Sequence, residues 1–65
     1  MINIDERYHS YLHSNKSFCV DGICEKVRGY GFRCDGKSIN GYYVVTDNWV
    51  LNYNLEEQFI NKESR

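Results

Sequence analysis

Four side chains within sixteen residues have the types and spacing for zinc chemistry: His9, His13, Cys19 and Cys24. Zinc takes nitrogen or sulfur donors in a tetrahedron, and two histidines four apart on a helix offer a pair from one face. The cysteines count against the set. They bracket Val20-Asp21-Gly22-Ile23, where Asp-Gly is the favoured pair for a two-residue hairpin turn, and neither is followed by a knuckle glycine. Around the helical wheel the histidines fall roughly 115–155° from the centre of the apolar stripe, on the solvent flank. The expectation is a fold that uses neither metal nor cofactor.

The same residues give little for nucleophilic catalysis. A reactive cysteine needs a base or cation to lower its pKa, and Lys26 near Cys24 is the neighbour of that kind. Across an Asp21-Gly22 turn, Cys19 and Cys24 stand directly opposite one another, close enough for a disulfide. Free thiols are expected instead, because three cysteines, an odd number, fit a reducing compartment better than a secreted disulfide framework. The carboxylates sit at turns or helix starts, where local structure accounts for them. With 65 residues there is little material for a desolvated pocket, and an enzyme is not expected.

The elements that would position these residues can be taken in order. Asn3 with Glu6 three residues on makes a capping box, and Ile4, Tyr8, Tyr11 and Leu12 form one apolar stripe, which predicts a short helix ending at Ser14-Asn15. A hairpin follows, with Phe18, Val20, Ile23 and Val27 on its core face and Cys19, Cys24 and Lys26 on the other. From Tyr30 to Ile39 two turn signals compete, Asp35-Gly36 and Asn40-Gly41, so the register of that strand stays open. About a turn at Asp47-Asn48, Tyr42, Val44, Thr46, Trp49, Leu51 and Tyr53 share one face, and Tyr43, Val45, Val50 and Asn52 take the other. Asn54 with Glu57 repeats the capping-box pattern ahead of Leu55, Phe59 and Ile60, which predicts a closing helix. The fold class expected is therefore a single α+β domain over residues 1–65. It is an antiparallel β-meander of four or five strands flanked by a short N-terminal and a short C-terminal helix.

Within the predicted meander, Arg28-Gly29-Tyr30-Gly31-Phe32 resembles the opening of the ribonucleoprotein octapeptide of RNA-recognition-motif domains. Similar Lys-Gly-Tyr-Gly-Phe runs occur in cold-shock domains. The resemblance covers five residues and implies a single-stranded nucleic-acid platform, with Tyr30 and Phe32 stacking on bases and Arg28 reaching phosphate. Arg33 departs from the aliphatic residue both families place next, and the second aromatic motif of each is absent. The competing reading puts both rings in the core, with the glycines accommodating a bend or a close approach.

Composition bounds the rest. A chain of 65 residues buries only roughly 60% of the surface its unfolded form exposes, so one marginally stable domain is expected. The formal charge of −1 gives no field to steer it towards nucleic acid or an anionic membrane. Locally, Lys16, Lys26, Arg28, Arg33 and Lys37 outweigh Asp21, Glu25 and Asp35 by two charges. No apolar run is long enough for a membrane span, and Met1 to Asn15 lacks the pattern of a signal peptide, so a cytoplasmic protein is expected. The last hairpin is apolar on both faces, whereas a sheet solvated on one side should alternate. Tyr43, Val45 and Val50, with Trp49 and Arg33 as rim or anchor residues, are thus candidates for a protein-binding surface. The expected function is inhibition or regulation of a larger protein by surface occupation, by analogy of size with small phage and mobile-element products. A homodimer through the same patch and nucleic-acid binding through Arg28, Tyr30 and Phe32 are the alternatives.

Overall fold

The computed structural model describes residues 3–65. Helix α1 spans Ile4–Leu12, and its start is the capping arrangement the sequence predicts: the Asn3 side chain accepts from the Glu6 amide at 3.1 Å. Asp5 and Glu6 lie in its first turn, where the helix dipole favours them. Ile4 and Tyr8 are buried, and Tyr11 and Leu12 pack beside them, so the apolar stripe faces the core as its spacing requires.

Strands β1 (Phe18–Val20) and β2 (Ile23–Glu25) form a hairpin that stands as a sheet of its own. Asp21 and Gly22 have φ of 52° and 77°, the positive angles a type I′ turn needs at both central positions. That turn sets the register Val20 to Ile23 and Cys19 to Cys24.

The main sheet is a meander of β3 (Val27–Asp35), β4 (Ser38–Thr46), β5 (Trp49–Asn54) and β6 (Phe59–Ser64), hydrogen-bonded in sequence order. Between β3 and β4 the chain turns after Asp35, which pairs with Ser38. Asn40-Gly41, the competing turn signal, lies within β4, where the ladder slips between Arg33 and Cys34. The surplus residue is a β-bulge, which absorbs a turn-like dipeptide without ending the strand. A second slip between Val27 and Gly29 pushes Arg28 out of register, towards an ion pair with Asp47.

The predicted C-terminal helix is replaced by β6. Asn54 does cap backbone amides, but those of Glu56 (2.9 Å) and Gln58 (3.0 Å), while Asn54 N–H donates to the Gln58 carbonyl at 3.1 Å. This closes a reversal of the chain, with Glu57 at φ 66°, and returns Phe59 antiparallel to Tyr53. The physical reason is edge protection. Leu51 and Tyr53 are buried on β5, and β6 completes the β5 ladder while presenting charged Lys62 and Glu63 at the new edge.

All the packed layers lie on one side of this sheet. Tyr8 of α1 meets Tyr42 and Tyr30, Phe18 of the hairpin packs edge-on to Tyr8 and Tyr11, and Phe59 packs edge-on to Tyr53. Ile4, Tyr8, Val27, Tyr42, Val44, Leu51 and Tyr53 form the core. Burial among these rings pushes the Tyr8 phenol well above its ordinary pKa, and lifts that of Tyr53 to about 12.

Candidate protein-binding face

Cross-strand register decides which side chains share a face. Tyr42 pairs with Tyr53, Tyr43 with Asn52, Val44 with Leu51, and Val45 with Val50, the pairing the Asp47-Asn48 turn predicts. Tyr42, Val44, Leu51 and Tyr53 point to α1. The side chains of Tyr43, Val45, Val50 and Asn52 project from the opposite face, half-buried by one another and by their neighbours. Both α1 and the β1–β2 hairpin pack on the far side.

Continuing the register across the sheet brings Gly29 and Gly31 of β3, and Asn61 and Glu63 of β6, to this same face. Gly31 has a steric task there. A Cβ added to it would sit 2.5–2.9 Å from the Tyr43 hydroxyl and the adjoining ring edge, so Tyr43 approaches β3 this closely only because position 31 has no side chain. The Arg33 guanidinium then covers Tyr43 from above at 5.0 Å from the ring centroid. From that position Arg33 Nε donates to Asn52 Oδ1 at 3.0 Å, and a second nitrogen lies 3.4 Å from the Glu63 carboxylate. Asn52 Nδ2 in turn donates to Asn61 Oδ1 at 2.8 Å and to Glu63 at 3.3 Å. The result is an apolar strip of Val45 and Val50 bordered by a connected polar network. A shallow groove of about 240 Å³ opens beside it, lined by Arg33, Asn40, Gly41, Asn52, Tyr53, Ile60, Asn61 and Glu63.

One turn holds the end of this face in place. The Glu25 carboxylate accepts from Thr46 Oγ1 at 2.8 Å, Asn48 N–H at 3.0 Å and Asn48 Nδ2 at 2.7 Å, tying β2 to the Asp47-Asn48 turn. Arg28 pairs with Asp47, and Arg65 donates to the Thr46 carbonyl at 2.9 Å. Hydrogen bonds from the Asn48 side chain, then Thr46, then the Asn48 backbone hold the Glu25 pKa below the ordinary glutamate value. A depressed folded-state pKa contributes stability above the unfolded value, and that contribution is lost as pH falls through the folded one. Acidification through and below the ordinary glutamate range is therefore expected to lower Tm more in the wild type than in Glu25→Gln. Equal acid sensitivity of the two proteins in a pH series of melts would contradict it.

Trp49 does not join the candidate face. It stands on the α1 side, packed against the core with Lys62 Nζ 4.8 Å from its ring, because its place beside the turn puts it in phase with Leu51 and Tyr53. Of the nucleic-acid trio, two members share a face. Tyr30 and Phe32 point to the α1 side, where Tyr30 lies 6.1 Å from Tyr8 and the Asp5 carboxylate raises its pKa. Phe32 is 37% exposed, and Arg28 is engaged by Asp47. Arg28, at the register slip, lies apart from the two rings.

The zinc set divides in the same way. His9 and His13 lie side by side on the exposed flank of α1, with ring centroids 4.4 Å apart and planes inclined by 51°. Cys19 and Cys24, expected as free thiols, are joined in a disulfide. The reason is their register: beside a two-residue turn they form a non-hydrogen-bonded pair, and their Cα atoms are only 4.1 Å apart. Among the described residues, no cluster of three or more His, Cys, Asp or Glu side chains could hold a metal ion.

Comparison with protein families, curated proteins and solved structures finds no match for this chain. Asn61 and Glu63 are members of the face that the sequence does not indicate, because the capping pattern at Asn54 predicts a helix over their segment. Phe59 to Ser64 is apolar only at its first two positions and does not alternate, so no period of two marks the segment as a strand.

Proposed function

We propose that this chain is a small protein-binding module that inhibits or regulates a larger protein by occupying part of its surface. The docking face is the one centred on Tyr43, Val45 and Val50, with Arg33 at its border. One observation supports this reading: the core gathers on the α1 side, whereas these apolar side chains stand on the face away from both α1 and the β1–β2 hairpin. Tyrosine and arginine are the residue types that concentrate at binding surfaces, and an apolar centre with a polar rim is the usual anatomy of one. A standard interface takes about 800 Å² from each partner, close to a fifth of the 4397 Å² this chain exposes. The proposed place of action is the cytoplasm. Among the described residues no helix is long and apolar enough to cross a membrane.

Val45→Lys tests the proposal. On an open face the substitution leaves Tm nearly unchanged and costs about 2 kcal/mol or more of partner affinity, ~30-fold. The measurement compares partner capture from host lysate by wild type and by Val45→Lys, with and without nuclease. Loss of capture by a folded variant supports the face, and capture abolished by nuclease favours nucleic acid. Unfolding of both Val45→Lys and Tyr43→Lys would mean that the face is interior. Melts across a dilution series separate a homodimer, whose Tm rises with concentration.

A further inference from the structure

The β1–β2 hairpin has three residues in each strand and no ladder to the four-stranded sheet, and a hairpin of that size is marginal by itself. Its inner side carries Phe18, Val20 and Ile23 against the core and ends in Glu25, which grips Thr46 and Asn48. Its outer side carries the Cys19–Cys24 bond, and both of these residues are exposed. The flap is therefore closed by a bond on its solvent side, one residue before the carboxylate that holds the Asp47-Asn48 turn.

We propose that Cys19–Cys24 is a thiol–disulfide exchange site, and that opening it loosens the hairpin and frees Glu25 from the turn. Exposure is what makes a disulfide open to attack and exchange. The bond closes a hairpin that has no ladder to the four-stranded sheet, so the effect of opening it reaches the hairpin and the turn that Glu25 holds, and not the β4–β5 ladder. The co-reactant is a dithiol, small or carried by a protein. Its thiolate attacks one sulfur, the Cys19–Cys24 bond breaks, and the departing sulfur leaves as a thiolate and takes a proton. The second thiol of the reductant then displaces the mixed disulfide. Two electrons and two protons pass to Cys19 and Cys24, and the reductant ends as its own disulfide. A chain in the cytoplasm would meet such dithiols, and one in an oxidising compartment would keep the bond.

The test follows amide exchange and needs no knowledge of the partner. A Cys34→Ser background removes the free, exposed third thiol. Reduction is expected to speed exchange about tenfold at Val20, Ile23, Glu25 and Asn48, while the β4–β5 ladder keeps its protection. Cys19→Ser combined with Cys24→Ser should show the fast pattern with or without dithiol. Unchanged protection on reduction would overturn the proposal. So would loss of protection throughout β4–β5, since the bond would then be holding the whole fold. Alkylation of both cysteines in air-oxidised protein, before any dithiol is added, would overturn it as well.

Discussion

Tyr42→Ala should remove a large share of this chain's stability. Tyr42 is fully buried, stacked on Tyr53 with centroids 4.9 Å apart and planes 2° from parallel, and its hydroxyl lies 3.1 Å from that of Tyr8. Truncating a buried aromatic to alanine costs about 3–5 kcal/mol. At about 0.05–0.15 kcal/mol per residue, a domain of this length holds roughly 3–10 kcal/mol in total. Tyr42→Phe keeps the stack and strands the Tyr8 hydroxyl, at about 1–3 kcal/mol. Urea titrations followed by circular dichroism would rank the three proteins. A loss below about 1 kcal/mol for Tyr42→Ala would mean that the tyrosine stack does not anchor the core.

Val44→Lys should abolish the cooperative melt, although Val45→Lys one residue later should not. Val44 is fully buried between Tyr30 and Leu51. An ammonium there has no partner, and burying it costs several kcal/mol whether it stays charged or is forced to lose its proton. Neighbours on a strand point to opposite faces, so the pair of variants reads the register directly. A normal melt for Val44→Lys and a failed one for Val45→Lys would reverse the faces described above.

Local signals carried much of the fold. Asn3 with Glu6, Asp21-Gly22 and Asp47-Asn48 act within a few residues, and the structure places each as its chemistry requires. The division of Tyr42 to Tyr53 into two faces follows from the second of those turns and the period of two. A local pattern that serves two structures does not choose between them. Asn54 offers its side chain to backbone amides in a helix cap and in a turn alike, and only the need of β5 for a neighbour selects the turn. Asn40-Gly41 can end a strand or bulge within one, and the pairing of Asp35 with Ser38 selects the bulge. Which sheet face is covered is a tertiary property. It depends on where α1 and the first hairpin dock, and no residue spacing encodes that. The polar half of the face was illegible for a related reason, since Arg33, Asn52 and Glu63 meet only after all four strands of the sheet are aligned.

The reach of Arg33 has a consequence for the kinetics and entropy of docking. A free arginine side chain samples many rotamers, and immobilising such a chain at an interface costs about 0.5–1.5 kcal/mol. Here the guanidinium is already laid across Tyr43 and tethered to β5 and β6, so much of that loss is incurred during folding. A protein docking on this face, as proposed, would meet a border whose shape is set before contact. Its fit would then turn on matching one fixed arrangement of donors, which would favour discrimination among surfaces over adaptation to many.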